Sequence, residues 1–455
     1  MTLASTGHAA DPEVSLADAV RQAIASNLDL VARRRALAAA REEIGLARSV
    51  LLPQVDIGAR AEVLDRDSSD AARDSKREES VLAAAGLSQV LYDEDSWAGF
   101  EIQKHVYEGQ VQQLEAFQLG VIEDAANTFL ELDRSQQVLE IQQRNREITR
   151  RNLGTSRSRI AAGWSSDREI LRWESQLAGN DTDVRAAQVL VLQNRFELNR
   201  VRNLPPEASV AGAPATIEDY GFAYAREAIA EAIVTPEQDR RMRDLLVRVG
   251  LRRSPDVAAL DASIAAAERQ LVASRRAFWV PSLTLGAGVE HLENFGLGND
   301  FDETTWGVQG VLSFPLFQGG AKFAGLEQAR EALASSRTER RATALSLEQS
   351  IRSAFAQASG SFENVGFANR QVAAARRNFE LVDASYTLGV ASILDLLDAQ
   401  AQLLTAELTL ANATYGFLEG LVAAEREISF YAFLEAPADV EALLNELTRE
   451  LGLQP

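Results

Sequence analysis

The sequence predicts a mixed, mainly α fold built from two internal structural repeats, with helices far longer than globular ones and four short strands of alternating apolar and polar residues. Three observations carry this. Local words recur at an offset of about 226 residues, the run from Ser96 to Ile160 contains no proline, and four short stretches alternate apolar with polar residues. Self-similarity at a fixed period is the mark of a repeated structural unit.

The repeat shows in short words. Leu52-Pro53-Gln54-Val55-Asp56-Ile57-Gly58-Ala59 parallels Val280-Pro281-Ser282-Leu283-Thr284-Leu285-Gly286-Ala287. Leu87-Ser88-Gln89-Val90-Leu91-Tyr92 parallels Leu312-Ser313-Phe314-Pro315-Leu316-Phe317. Arg151-Asn152-Leu153 parallels Arg377-Asn378-Phe379, and Gly163 parallels Gly389. Shared Ala-rich helical composition is the competing account of these matches. Each copy reads helix, strand, loop, strand, very long helix, tight turn, long helix.

In chain order, residues 1–13 read as a signal remnant or a disordered N-terminus. Gly7-His8-Ala9-Ala10 has the small residues that end a secretory signal, and an ordinary terminus fits equally. The first repeat spans 14–203. Its opening helix is expected from Ser15 to about Leu51, with Leu16, Ala19, Val20, Ala23, Ile24, Leu28 and Val31 on one face. Pro53 ends it and starts a strand. Strands are expected at about 54–63 and 80–91, followed by the long helices. Ser96 to Ile160 as one helix would extend roughly 95 Å, and it requires neighbours along its whole length.

Residues 204–253 form an insertion whose Pro205, Pro206, Pro214 and Pro236 break long helices. Short helices are expected there at Glu227–Ile233 and Arg240–Val249. The second repeat spans 254–430, with strands at about 282–291 and 304–315. Residues 431–455 read as a short acidic amphipathic helix. Insertion and tail are both placed at the equator of the helical body, packed together. In the last long helix, Leu396, Leu403, Leu410 and Phe417 recur every seven residues beside a second row, Leu397, Leu404, Ala411 and Leu418. A seven-residue apolar repeat implies coiled-coil packing, and two adjacent rows imply two neighbours.

No apolar stretch reaches the roughly 18 residues of a transmembrane helix. A membrane-spanning form must therefore be a β-barrel, which alone satisfies the backbone otherwise. Val55, Ile57, Ala59, Ala61 and Val63 alternate with Asp56, Gly58, Arg60 and Glu62. Leu283, Leu285, Ala287 and Val289 alternate with Thr284, Gly286, Gly288 and Glu290, and the stretch Thr305–Phe314 behaves alike. A half-buried soluble sheet would alternate in the same way. The polar loops Asp65–Glu79 and Asn294–Glu303 suit exposed extracellular loops. Four strands cannot close a barrel, which needs about eight or more. Three chains would supply twelve as a homotrimer, and oligomerisation is a requirement of the membrane reading, because open edges are not tolerated in lipid.

The chemistry is sparse. A net charge of −20 disfavours a nucleic-acid partner. Cys is absent, and His8, His105 and His291 form no metal motif. The phosphate-binding, nucleophile-elbow and dinucleotide motifs are missing too. We therefore expect no enzyme activity, no cofactor and no metal.

The order of elements and the local words resemble the TolC-like outer-membrane efflux protein family. The matching words are the Leu52-Pro53-Gln54-Val55 and Val280-Pro281-Ser282-Leu283 junctions, Ser313-Phe314-Pro315-Leu316-Phe317-Gln318-Gly319-Gly320, and Tyr386-Thr387-Leu388-Gly389 leading to Ile393-Leu394-Asp395-Leu396-Leu397-Asp398-Ala399. The resemblance covers about residues 14–430. It implies a long-helix α-barrel tunnel continued by a trimeric 12-stranded transmembrane β-barrel, in the outer membrane of a Gram-negative bacterium with a periplasmic helical body. It further implies a passive exit duct of a tripartite efflux pump or type I secretion system, working with a periplasmic adaptor protein, an inner-membrane transporter and outer-membrane lipid. The missing N-terminal Cys departs from the lipoprotein branch. The competing reading is a non-membrane helical scaffold, or a periplasmic adaptor with coiled-coil hairpins; an adaptor carries one hairpin, whereas this chain carries two matching copies.

Candidate site residues follow. Asp395 and Asp398 stand three apart on one helix face. The residues alone favour acids at a helix start, stabilised by the dipole; the resemblance implies a pore constriction, with acidic rings on a three-fold axis. It also makes Tyr386 and Glu169 a gate-locking hydrogen bond, with Arg157, Arg159 and Arg168 as nearby partners; ordinary surface polarity is the other reading. Gly163, Ser166, Gly389 and Ser392 belong to the helix-to-helix turns. Gly permits the tight backbone and Ser can cap the next helix, which accounts for them structurally. Adaptor contact at these tip turns is what the resemblance adds.

Overall fold

The computed structural model describes residues 13–63, 79–161, 167–212, 236–295 and 303–450. The signal-like terminus, the tip turn with Gly163 and Ser166, the helix expected at Glu227–Ile233 and most of both extracellular-type loops lie outside these residues. The elements run β1 (Glu13–Val14), α1 (Leu16–Ser26), α2 (Leu28–Ser49), β2 (Gln54–Val63), β3 (Glu79–Tyr92), α3 (Glu94–Ala161), α4 (Asp167–Val201) and β4 (Ala211–Gly212). Then come α5 (Pro236–Arg253), α6 (Pro255–Arg276), β5 (Ser282–Phe295), β6 (Glu303–Ser313), α7 (Ala321–Thr387), α8 (Ile393–Glu427) and α9 (Pro437–Glu450).

The single opening helix expected over 15–51 is in fact two, divided at Asn27. Its backbone leaves the helical region at ψ 123° while its N–H still bonds Ala23 O. Its Oδ1 then accepts the Leu30 N–H at 3.0 Å, and its Nδ2 donates to Val201 O at 3.3 Å. One side chain thus ends α1 and caps α2, a role Asn fills because it competes with the helical backbone for hydrogen bonds.

The chain divides into two compact units, one of Met1–Arg33, Glu115–Pro255 and Ala344–Pro455, the other of Arg34–Leu114 and Asp256–Thr343. The second unit contains an antiparallel sheet in the order β2-β3-β5-β6. Within one chain it is an open sheet, not a closed barrel, with β2 and β6 at its edges. β5 runs beyond the expected end at 291 because Leu292–Phe295 stay paired with Leu82–Glu79. β6 stops at Ser313, two residues before Pro315, which has no N–H for the ladder.

The register sorts side chains onto two faces. Rows such as Val55, Leu87, Ala287, Val308 and Ile57, Ala85, Val289, Trp306 lie on one face. Ile57, Trp306 and Leu312 there are 85%, 80% and 67% exposed, an unusual state for large apolar groups. The opposite face carries Asp56, Arg60, Ser88 and Gln309. Asp56 faces Gly86, where a Cβ would come within 3.0 Å of its carboxylate, so glycine makes the room. Beyond the strand ends, Trp279, Leu316, Phe317 and Phe323 are largely exposed, and Phe278 packs edge-on to Phe323 at 5.0 Å.

At the start of α3, Glu94 gathers Tyr92, Arg269 and Arg276. The Tyr92 hydroxyl donates to Oε2 at 2.5 Å, Arg269 to Oε1 at 2.7 Å and Arg276 to Oε2 at 3.2 Å. Burial alone would raise the Glu94 pKa; the Tyr92 hydroxyl and the two guanidiniums outweigh it and hold the pKa low. Leu271 of α6 and Ala329 and Leu333 of α7 form the apolar core beside them.

Among its described residues, the first unit is made of helices and their turns, with the short parallel β1–β4 pair beside them in the sequence order. In α8, Leu396, Leu403 and Phe417 are buried, while Leu397 and Leu404 of the adjacent row are half-buried. The helix in the insertion is longer than expected, α5 covering 236–253, and it lies against α9, with Arg252 donating to Glu446 at 3.3 Å.

Candidate functional site

Four helix segments of the first unit meet around Tyr386. α7 ends one residue later, and the turn after it closes with two paired bonds. Gly389 N–H donates to Tyr386 O at 2.9 Å and Val390 N–H to Ser385 O at 2.9 Å. This is a Schellman ending, and it places Gly389 at φ +80°, where a side chain would be strained. Two residues on, Ser392 caps α8. Its Oγ accepts the Asp395 N–H at 3.3 Å, while Asp395 Oδ2 accepts from Ser392 N–H and Oγ at 3.0 and 2.7 Å. That reciprocal capping box satisfies donors on both sides of the helix start.

Tyr386 is not a surface residue. It is 2% exposed, within a cluster that includes Leu153, Trp173, Phe379, Ile393 and Leu396. Its hydroxyl donates to Glu169 Oε2 at 3.3 Å and accepts from Ser156 Oγ at 2.8 Å. Arg159 covers it from α3, with its guanidinium 4.8 Å from the ring and Nη1 donating to Tyr386 O at 3.0 Å. Trp173 of α4 meets the ring edge-on at 6.5 Å. One phenol therefore links α3, α4 and α7. The resemblance paired Tyr386 with Glu169 and named Arg159 among the nearby partners. It missed Ser156, whose type gave no signal among many polar residues of α3. Arg157 instead pairs with Glu174 at 2.9 Å, and Arg168 is exposed.

Asp395 and Asp398 are exposed on α8 and do not join the Tyr386 cluster. The hydroxyl of Ser392, then its backbone N–H, holds Asp395 below the usual carboxylate range. Asp398 accepts from Gln402 Nε2 at 2.7 Å. Among the described residues, no group of His, Asp and Glu is arranged to hold a metal, and no helix is long and apolar enough to cross a membrane.

An open four-stranded sheet bare on its apolar face, in a chain dominated by long packed helices, defines a membrane-channel type of protein. The chain belongs to the outer membrane efflux protein family, whose model matches residues 19–203 and 246–423. It is located in the outer membrane of Gram-negative bacteria. It is 26% identical to the outer membrane protein TolC of Vibrio cholerae over 416 residues, covering 89% of this chain and 88% of that one. Among solved structures, CusC superposes with a TM-score of 0.74 at 15% identity, covering 91% of each chain. The open state of the Neisseria gonorrhoeae MtrE outer membrane channel superposes with a TM-score of 0.72 at 18% identity, covering 92% of this chain and 90% of that one.

Proposed function

We propose that three copies of this chain form the outer-membrane exit duct of a tripartite efflux pump or type I secretion system. The observation that carries the reading is the sheet. Its large apolar residues are exposed, and its β2 and β6 edges have no partner strand among the described residues. Lipid accepts that face, and lipid forbids those edges until other strands pair with them. Three four-stranded sheets closing edge to edge make a 12-stranded barrel, within the range of bacterial barrels. The exposed aromatics Trp279, Phe317 and Phe323 near the strand ends suit a membrane–water interface. The helices continue the duct as an α-barrel through the periplasm.

Such a duct performs no chemistry. An inner-membrane transporter supplies the energy, and a periplasmic adaptor docks on the tip turns carrying Gly163, Ser166, Gly389 and Ser392. The Tyr386–Glu169 bond serves as the lock, with Ser156 and Arg159 supporting it, and Asp395 and Asp398 of three chains line the constriction. A helical scaffold or adaptor would have no use for a sheet bare on one apolar face. The test is to express the full precursor, separate the membranes by density and cross-link the chain. Trimers in the outer-membrane fraction support the reading; a soluble monomer ends it.

A further inference from the structure

A second buried feature runs along α3. Asn145, Thr149, Asn152 and Ser156 follow the four-three-four spacing that faces a neighbouring helix, and each is at most 5% exposed. Over about three turns, the stripe that packing normally fills with Leu or Ile is polar instead. Asn180 of α4 donates to Thr149 Oγ1 at 2.7 Å. Gln400 Nε2 of α8 lies 2.6 Å from Asn145 Oδ1 and 2.7 Å from Thr149 Oγ1.

The stripe is not saturated. Asn152 Nδ2 and Gln400 Oε1 are buried without a partner among the described residues. Groups of this kind are costly to leave unmade and are ordinarily met by ordered water. At the Gln400 end, a cavity of about 230 Å³ with a largely apolar lining that includes Phe379 and Leu403 is rimmed by Asn145, Gln400, Arg144 and Glu407, and that polar rim gives water an entrance.

We propose that this stripe is a hydrated slip seam, along which α4 and α8 shift against α3 by exchanging hydrogen bonds with water. The inference rests on the reading of the chain as a gated duct and adds how its helices move. Interdigitated apolar side chains resist sliding, because displacement opens voids and forfeits contacts. Amides and hydroxyls trade a protein partner for a water at small net loss. The seam therefore rearranges more readily than the stretch of α3 around Ile122, Phe129 and Leu132, where apolar side chains outnumber the buried polar Thr128 and Asp133.

The test is amide hydrogen exchange on the purified full-length protein, paired with single-channel recording in planar bilayers. Residues 141–161 of the wild type should exchange about tenfold faster or more than residues 119–133. Asn145→Leu, Thr149→Val, Asn180→Leu and Gln400→Met together remove donors and acceptors at once. That variant should exchange as slowly over 141–161 as over 119–133 and open about tenfold less often. Asn152→Leu alone, a milder change, should slow the same segment about threefold and serves if the fourfold variant does not assemble. Equal exchange of the two wild-type segments overturns the seam, as does an apolar variant that opens as freely as wild type. A wild-type chain that never conducts overturns the duct reading instead, and the exchange comparison still decides the seam.

Discussion

Arg269 Nη1 stands 2.7 Å from Glu94 Oε1, and the two side chains are only 13% and 7% exposed. Arg269 also donates to Glu101, so removing Glu94 takes away one of its two carboxylate partners. Glu94→Ala should therefore cost about 1.5–3 kcal/mol, the scale of a hydrogen bond to a charged group, read as a lowered melting temperature in detergent. Glu94→Leu combined with Arg269→Met should cost less than the sum of the two single changes, because the buried pair leaves together. The pH sign follows from the lowered Glu94 pKa. The stabilisation is present above the usual carboxylate range and is lost as acid protonates Glu94 through its depressed folded value.

Loosening the Tyr386 cluster should open the duct. Tyr386→Phe with Glu169→Ala removes a hydrogen bond worth about 1 kcal/mol net, somewhat more with the carboxylate charged. Single-channel conductance should rise. Ser156→Ala, which removes only the donor on α3, should have a smaller effect in the same direction. Unchanged conductance in an intact trimer refutes the assigned role.

Multivalent block locates the constriction. Close carboxylates favour multivalent cations, since neutralising the cluster relieves mutual repulsion. Because Asp395 also completes the cap with Ser392, the informative variant is Asp395→Asn with Asp398→Asn, which keeps an acceptor at the helix start. It should assemble and lose block by a trivalent cation. Equal block in both proteins would reduce Asp395 to its capping role.

Glu425 should make stability fall as pH rises. Its side chain is buried with neither carboxylate oxygen paired to another side chain among the described residues, and burial raises its pKa to about 8. Unfolded, it ionises near the ordinary value, so between roughly pH 4.5 and 8 the native state binds the extra proton and stability declines. Glu425→Gln should melt close to wild type at pH 5 and above it at pH 8, by a few kcal/mol in order of magnitude. Parallel melting curves across that range would show that the carboxyl is hydrated.

Two helix ends should respond oppositely to glycine chemistry. Ser429, like Gly389, sits in the left-handed region, at φ 53°, closing α8 with Ser429 N–H to Arg426 O at 3.0 Å and Phe430 N–H to Glu425 O at 3.0 Å. Ser429→Gly should stabilise by about 0.5–1 kcal/mol, and Gly389→Ala should destabilise by about 1 kcal/mol. Chemical denaturation of the two variants measures both.

Much of the architecture was legible because it is periodic. The alternation through Val55–Val63 and the seven-residue rows of Leu396 and Leu397 can be seen without a partner. The break at Asn27 could not, since it depends on a bond to Val201 far along the chain. Tyr386 and Glu169 are 217 residues apart, and only the resemblance joined them. The polar stripe of α3 escaped notice for a different reason. Periodicity marks apolar residues as inward, so Asn145, Thr149, Asn152 and Ser156 carry no signal of burial in the sequence, and packing alone encloses them.

The edge-on contact between Trp173 and Tyr386 has an optical consequence. A fully enclosed indole emits toward the blue, and water reaching its ring moves that emission to the red. Trp173 is 0% exposed and its ring centre lies 6.5 Å from that of Tyr386, so displacement of the phenol uncovers the fluorophore directly. With Trp97, Trp164, Trp279 and Trp306 replaced by Phe, the protein would carry its own light-based gauge of the turn region, with no dye attached.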